Sequence, residues 1–252
     1  MSQAISPYDD TFYEYQREGA LRSARLLLPL VHEVLKVRSV LDVGCGAAAW
    51  LRVHQELGVS QVLGLDGDYL DPALLLIAPD GFWPADITQP LALGRRYDLV
   101  QCLEVAEHVP PDAGPGLIDN LVGHGDHILF SAAVPGQGGK GHINERPLGY
   151  WRDLFAERGY RAFDYLRPRI AREAEIEWWY RYNTLLYVHE RATAALPAQV
   201  RDAEIAPGSP VPDVSPLPMK VRKLMLRALP AFTVSHLAAM KHRQFVRALA
   251  RG

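Results

Sequence analysis

The chain has 252 residues, 48% of them hydrophobic and 22% charged, which suits one large globular domain with appendages and excludes a disordered chain. No apolar run approaches the ~18 residues that cross a bilayer, and two cysteines, Cys45 and Cys102, neither build a disulfide framework nor have metal-ligand spacing. The net charge of −2 conceals an asymmetry: residues 219–252 hold eight Lys or Arg and no Asp or Glu, leaving 19 basic against 29 acidic residues elsewhere.

The acidic, polar opening "MSQAISPYDDTF" lacks the basic and then apolar start of a secretory signal, so a reducing cytoplasm is the expected location. Residues 13–37 read as helix from the spacing of Leu21, Ala24, Leu27, Leu28, Val31 and Leu35, with Pro29 expected to break it into two pieces. Strands are expected at 39–42, 61–65, 82–85, 97–103, 127–132 and 183–189. Helices fall at 47–57, closed by Gly58, and at 148–158, closed by Gly159. Strands alternating with helices predict an α/β fold whose parallel sheet is covered on both faces. The expected organisation is a helical cap over 1–38, the main domain over 39–191, a Pro-rich extended linker over 192–218 and a basic tail over 219–252. In that tail, residues 220–229 and 234–249 read as amphipathic helices separated by Pro230.

The stretch "VLDVGCGAAAWL" opens the informative region. A strand followed by two glycines and small residues lets a ligand approach the backbone at a helix N-terminus. Gly44-x-Gly46-x-x-Ala49 fits the dinucleotide fingerprint in its Gly/Ala form, and Asp66, twenty residues after Gly46, is placed to accept from ribose hydroxyls. Asp42 narrows the choice: a carboxylate beside the ligand path repels a pyrophosphate and favours a cationic amino group or sulfonium. In "PADIT", Asp86 is placed to accept from an adenine amine and the Ile87 N–H to donate to a ring nitrogen. Together these describe a pocket for S-adenosylmethionine.

"VLDVGCG", "VLGLDG", "ADI" and "YDLVQCLEVAEHV" resemble, in order and spacing, the successive motifs of class I S-adenosylmethionine-dependent methyltransferases over residues 35–190. The resemblance implies a Rossmann-like, doubly wound, mostly parallel seven-stranded sheet with an N-terminal helical cap and a C-terminal helical tail. It also implies cofactor contacts at Asp42, Gly44, Cys45, Gly46, Asp66, Gly67, Asp86, Ile87 and Glu104. The Ala47–Ala49 run departs from relatives that carry a third glycine there. "FSAAVPGQGGKGHINERPLGYW" and "EWWYRYN" are similar to a sub-group associated with glycan and natural-product pathways, which implies a sugar or secondary-metabolite hydroxyl as acceptor.

Methyl transfer to a hydroxyl gains from a base near its proton, and histidine has the pKa for that. His142, in a glycine-rich loop after the fifth strand, is the first candidate and His108 the second, with Asn144, Glu145, Tyr150 and Trp151 candidates for the same pocket wall. "EVAEHV" also offers a metal reading, since Glu104, Glu107, His108 and His142 suit a divalent cation such as Mg²⁺ holding a diol. That pattern resembles small-RNA ribose 2′-O-methyltransferases, so metal-assisted RNA methylation is an alternative. A second is a non-catalytic module that keeps the cofactor fold and recruits partners. Tyr13, Tyr15 and Arg17 are lid candidates over the cofactor. The basic tail suits an oligomer contact or an anionic membrane surface, and nucleic acid comes third because the body is acidic and no base-stacking motif is present.

Overall fold

The computed structural model describes residues 10–227, with side chains from residue 17. In chain order come α1 (Asp10–Val34), β1 (Ser39–Val43), α2 (Ala49–Glu56), β2 (Gln61–Asp66), β3 (Phe82–Pro84), β4 (Leu99–Leu103), α3 (Gly114–His124) and β5 (His127–Ser131). Then follow α4 (Leu148–Ala156), β6 (Tyr160–Phe163), α5 (Arg167–Ile170), α6 (Trp178–Asn183), β7 (Leu185–His189), α7 (Glu190–Thr193), α8 (Ala198–Arg201) and α9 (Leu217–Arg227). The sheet order is β3-β2-β1-β4-β5-β7-β6. Neighbours from β3 to β5 pair in parallel and β7 runs against both its neighbours. This is the doubly wound, mostly parallel seven-stranded sheet expected. Its strand order reverses between β1 and β4, and ligands of such sheets sit outside the carboxyl ends of the strands at that switch point. Among the described residues no helix is long and apolar enough to cross a membrane.

The strands alternate their buried side chains between two cores, as a period of two requires. Val40, Leu99 and Leu129 join α1, α2 and the 163–200 region on one face. Leu41, Val100, Ile128 and Phe130 join α3 and α4 on the other. In the second core Trp151 is fully buried, its ring 5.5 Å from that of Phe130. It is core, not pocket wall. Trp151→Ala removes one of the largest buried side chains, with an expected loss of about 3–5 kcal/mol in a chemical-denaturation titration.

Three expectations are corrected. Helix α1 runs through Pro29 without a break. Pro29 lies on the exposed side of the helix, where the carbonyl it leaves unpaired can face solvent, while the stripe of Leu27, Leu28 and Val31 is buried and ties both halves of the helix to the core. Residues 192–218 are not an extended linker. Leu196 and Val200 are buried, Ile205 N donates to Ala162 O at 2.9 Å, and Arg152 and Arg167 donate to Ser209 O and Pro212 O at 2.7 and 3.0 Å. Two guanidiniums of the body thus satisfy carbonyls of the Pro-rich segment. Third, β6 and α3 were unforeseen, because β6 has four residues and α3 begins with the turn-like "GPG". Of the two tail helices, the first is seen as α9, and residues 234–249 lie outside the described residues.

Candidate active site

The turn after β1 is built for close backbone approach. Gly44 and Cys45 N–H both donate to Leu65 O, at 2.7 and 3.0 Å, which draws the turn against β2. Gly44 has φ +82°, and a Cβ there lands 2.4 Å from Val105 Cγ2, so glycine is required by conformation and by space. Gly46 differs. Its φ is +50°, nothing lies within 4 Å of where a Cβ would be, and its N–H donates to Asp66 Oδ2 at 2.7 Å. Gly46 thus borders open space at the carboxyl end of β1. Cys45 is a packing residue: a Cβ at Gly64 would meet its sulfur at 2.6 Å, and burial pushes its thiol well up.

Asp66 accepts from Gly46 N, from Gly67 N at 2.7 Å and from the Tyr69 hydroxyl. The Tyr69 ring lies on Gly67, where it leaves no room for a Cβ. Tyr69 had no sequence signal, being one tyrosine among eleven. Asp66, Gly67, Tyr69, Ala85, Asp86 and Ile87 line a cavity of about 520 Å³. Asp86 Oδ1 accepts from Thr88 Oγ1 and Thr88 N at 2.6 and 3.0 Å, which holds its carboxyl below the usual range. Asn120 staples this rim by donating to Ile87 O and Gln89 O.

Asp42 is 3% exposed, and burial raises its carboxyl to about 7, with the charge of Asp66 adding to the rise and the Gln101 side chain opposing it. Among the described residues no basic side chain forms an ion pair with it. Asp42 and Gln101 are register partners on β1 and β4, so their side chains share a face. Behind Gln101 runs a chain: His54 Nε2 lies 3.0 Å from Gln101 Oε1, and His32 Nε2 lies 2.9 Å from His54 Nδ1. Burial lowers His54 to about 3 and also lowers His32, so both rings are neutral near pH 7. An amide oxygen only accepts, so His54 donates from Nε2 and receives at Nδ1 the proton of His32. That order leaves the Gln101 amide nitrogen, which has no hydrogen-bond partner among the described residues, on the sheet face that Gln101 shares with Asp42. A buried carboxylate lacking a cation, beside an open glycine turn, fits a cationic adenosyl cofactor.

The second half of the site lies beyond β4. Glu104 adopts φ +56°, a conformation that costs a non-glycine residue about 1–3 kcal/mol. Its carboxylate is held by Gln137 Nε2 at 2.9 Å and Asn183 Nδ2 at 3.2 Å, and Asn183 also donates to Gln137 Oε1 at 2.9 Å. Burial nevertheless raises the Glu104 carboxyl. Glu107 is 1% exposed, Oε2 has no partner, and burial with the neighbouring Glu104 pushes it well up. His142 Nδ1 meets Glu145 Oε1 at 2.9 Å. Glu145 also accepts from Gly136 N and Gly138 N at 2.8 and 2.7 Å; burial opposes its charge, but these bonds hold its carboxyl below the usual range. The rings of His108 and His142 are 4.9 Å apart, and burial followed by His142 depresses His108 to about 4.

Most of the expected residues therefore gather at the carboxyl ends of β1, β2 and β4. Glu107, His108 and His142 offer ligand atoms all within 4.8 Å of one another, while Glu104 is outside that group and bonded to Gln137 and Asn183. The four-residue metal set is thus reduced to three. Asn144 is structural, donating to Ala106 O at 3.1 Å and receiving Arg146. In "EWWYRYN", Tyr180 packs edge-on to Trp50 at 4.9 Å, and Trp179 lies against the same core. Tyr13 and Tyr15, two of the three lid candidates, have side chains outside the described residues. Gln101 and Gln137 were missed, since a glutamine carries no motif until the fold sets it against a carboxylate.

A family model described as a methyltransferase domain matches residues 13–180. Over 102 residues the chain is 36% identical to the ubiquinone biosynthesis O-methyltransferase of Serratia proteamaculans. That match spans 37% of this chain and 42% of the relative, less than half its length. A sugar N-methyltransferase from Streptoalloteichus shares the fold at 16% identity and a TM-score of 0.54, over 75% of this chain and 95% of that one. A magnesium protoporphyrin IX methyltransferase from Synechocystis aligns at 17% identity and a TM-score of 0.47, over 74% and 90% of the two chains.

Proposed function

Since the chain belongs to the class I S-adenosylmethionine-dependent methyltransferases, we propose that it methylates a hydroxyl of a small-molecule acceptor, a sugar or a secondary metabolite. The observation that carries the reading is the pairing of two half-sites across the switch point: the cation-lacking Asp42 beside the open Gly46 turn, and the His142–Glu145 pair beyond β5. Asp66 and Gly67 would hold the ribose, with the Tyr69 hydroxyl giving way, and Asp86 and Ile87 would meet the adenine. Bound S-adenosylmethionine supplies a methyl group on a cationic sulfur. Glu145 fixes the proton of His142 on Nδ1, which leaves Nε2 to take the acceptor's hydroxyl proton as the new O–CH₃ bond forms. His142 would then carry the acceptor's proton as an imidazolium, with its charge balanced by the Glu145 carboxylate. The Glu104–Gln137–Asn183 ring holds the loop that carries this pair against the sheet.

The test is transfer of a tritiated methyl group to matched hydroxyl and amino acceptors, drawn from nucleotide-linked sugars and phenols. Label in hydroxyl acceptors supports the reading, and label confined to amines overturns its oxygen preference. Tight cofactor binding without transfer to any acceptor overturns turnover itself.

A second reading has one observation in its favour, the cluster of Glu107, His108 and His142 with the unpartnered Glu107 Oε2. Those three residues would hold a divalent cation against an acceptor diol, an RNA ribose included. On the first reading, turnover in chelator equals turnover with added Mg²⁺ or Mn²⁺. A metal-restored rate selects the second.

A further inference from the structure

Helix α9 has its polarity reversed relative to a docked surface helix. Toward the body it turns Met219, Lys223 and Leu226, of which only Lys223 is buried, with Nζ on Asp213 Oδ2 at 2.5 Å. Away from the body it presents Leu217, Val221, Leu224 and Met225, which are 73, 48, 69 and 65% exposed. Their i, i+4, i+7, i+8 spacing makes one apolar stripe. Lys220, Arg222 and Arg227 flank it, and residues 228–252, outside the described part, add four Lys or Arg and again no acid.

The helix is anchored on the loop that carries the catalytic pair. Arg222 Nη1 donates to Gln137 O at 3.0 Å and Arg227 Nε to Pro135 O at 2.8 Å. Gly136 lies so close to the helix that a Cβ would come 2.3 Å from Lys223 O. Gln137 is the residue that donates to Glu104. The exposed stripe therefore lies one helix thickness from the acceptor side of the site.

We propose that α9 seats the protein on an anionic lipid bilayer, with Leu217, Val221, Leu224 and Met225 entering the interfacial region and Lys220 meeting lipid phosphates, while Arg222 and Arg227 hold the helix to the body. The pairing of a wholly basic segment with an apolar stripe identifies the partner. Nucleic acid would answer the charge and leave four large apolar side chains without a partner. A second copy of α9 would bury the stripe and bring like charges together. Docking in this orientation holds the 134–142 loop one helix thickness from the membrane surface, where an acceptor with a lipid-soluble portion is concentrated.

The test uses the full chain in flotation with phosphatidylcholine vesicles and with vesicles also containing phosphatidylglycerol. Binding is expected only to the anionic vesicles and is weakened by salt. The double variant Leu224→Glu/Met225→Glu, at exposed positions and with an unchanged thermal midpoint, should lose affinity at least about tenfold. Absence of binding by the native chain overturns the proposal. Undiminished binding by the variant does so too, because it assigns the contact to residues 228–252. A concentration-dependent dimer broken by the same variant also overturns it, by showing that a second copy covers the stripe.

Discussion

Asp42→Asn lowers the affinity for S-adenosylmethionine by about 100-fold and removes a pH dependence from stability, read by calorimetry and thermal melts. The reason is the carboxyl raised to about 7 by burial. Without ligand, the folded state holds this proton more tightly than the unfolded chain, so its contribution to stability is present at low pH and declines as pH rises through 7. The difference from an ordinary aspartate corresponds to roughly 4 kcal/mol between the limits. A cation at the turn favours the charged form, so cofactor affinity runs the opposite way, falling as pH drops below 7. The native protein should show both slopes and release a proton on binding near pH 7. The Asn variant should show neither. Equal affinity in the two proteins would remove Asp42 from the cofactor site.

His142→Gln is expected to reduce kcat by about 10²–10³-fold and leave cofactor affinity unchanged, because in the proposed mechanism the imidazole takes the acceptor's proton. Glu145→Gln is milder on the chemistry, about tenfold, but it also weakens the bonds from Gly136 and Gly138 and so raises KM for the acceptor. The comparison separates proton transfer from loop positioning: a base loss moves kcat, a loop loss moves KM. If His142→Gln raised only KM, the imidazole would be a loop fastener, and its contact with Glu145 at 2.9 Å would be its whole role.

The glycine turn after β1 and the Asp66 strand end were legible in the sequence because backbone geometry writes itself into residue type. Gly44 and Gly46 are glycines because of positive φ, and Asp66 ends a strand at the distance the first turn dictates. The sheet was legible for the same reason, since its strands are short apolar runs between turn residues. What stayed hidden depends on contacts between distant residues. Gln137, Asn183 and Glu104 are 33 to 79 positions apart in pairs, and only the fold closes their ring. Proline content made residues 192–218 read as an extended linker, and could not show that α8 would form there or that Arg152 and Arg167 would hold the segment on the body. Tyr69 escaped for a related reason: its hydroxyl matters only because Asp66 is three residues away at the edge of the cavity.

The two imidazoles behind Gln101 form a line in which every proton has an assigned owner. Such a line carries a sense, as a row of arrows does. It begins at His32 on the outermost helix and ends at the amide beside Asp42. The N-terminal helix thus decides, through His54, which way the Gln101 amide faces on a strand that, among the described residues, it does not touch by hydrogen bond.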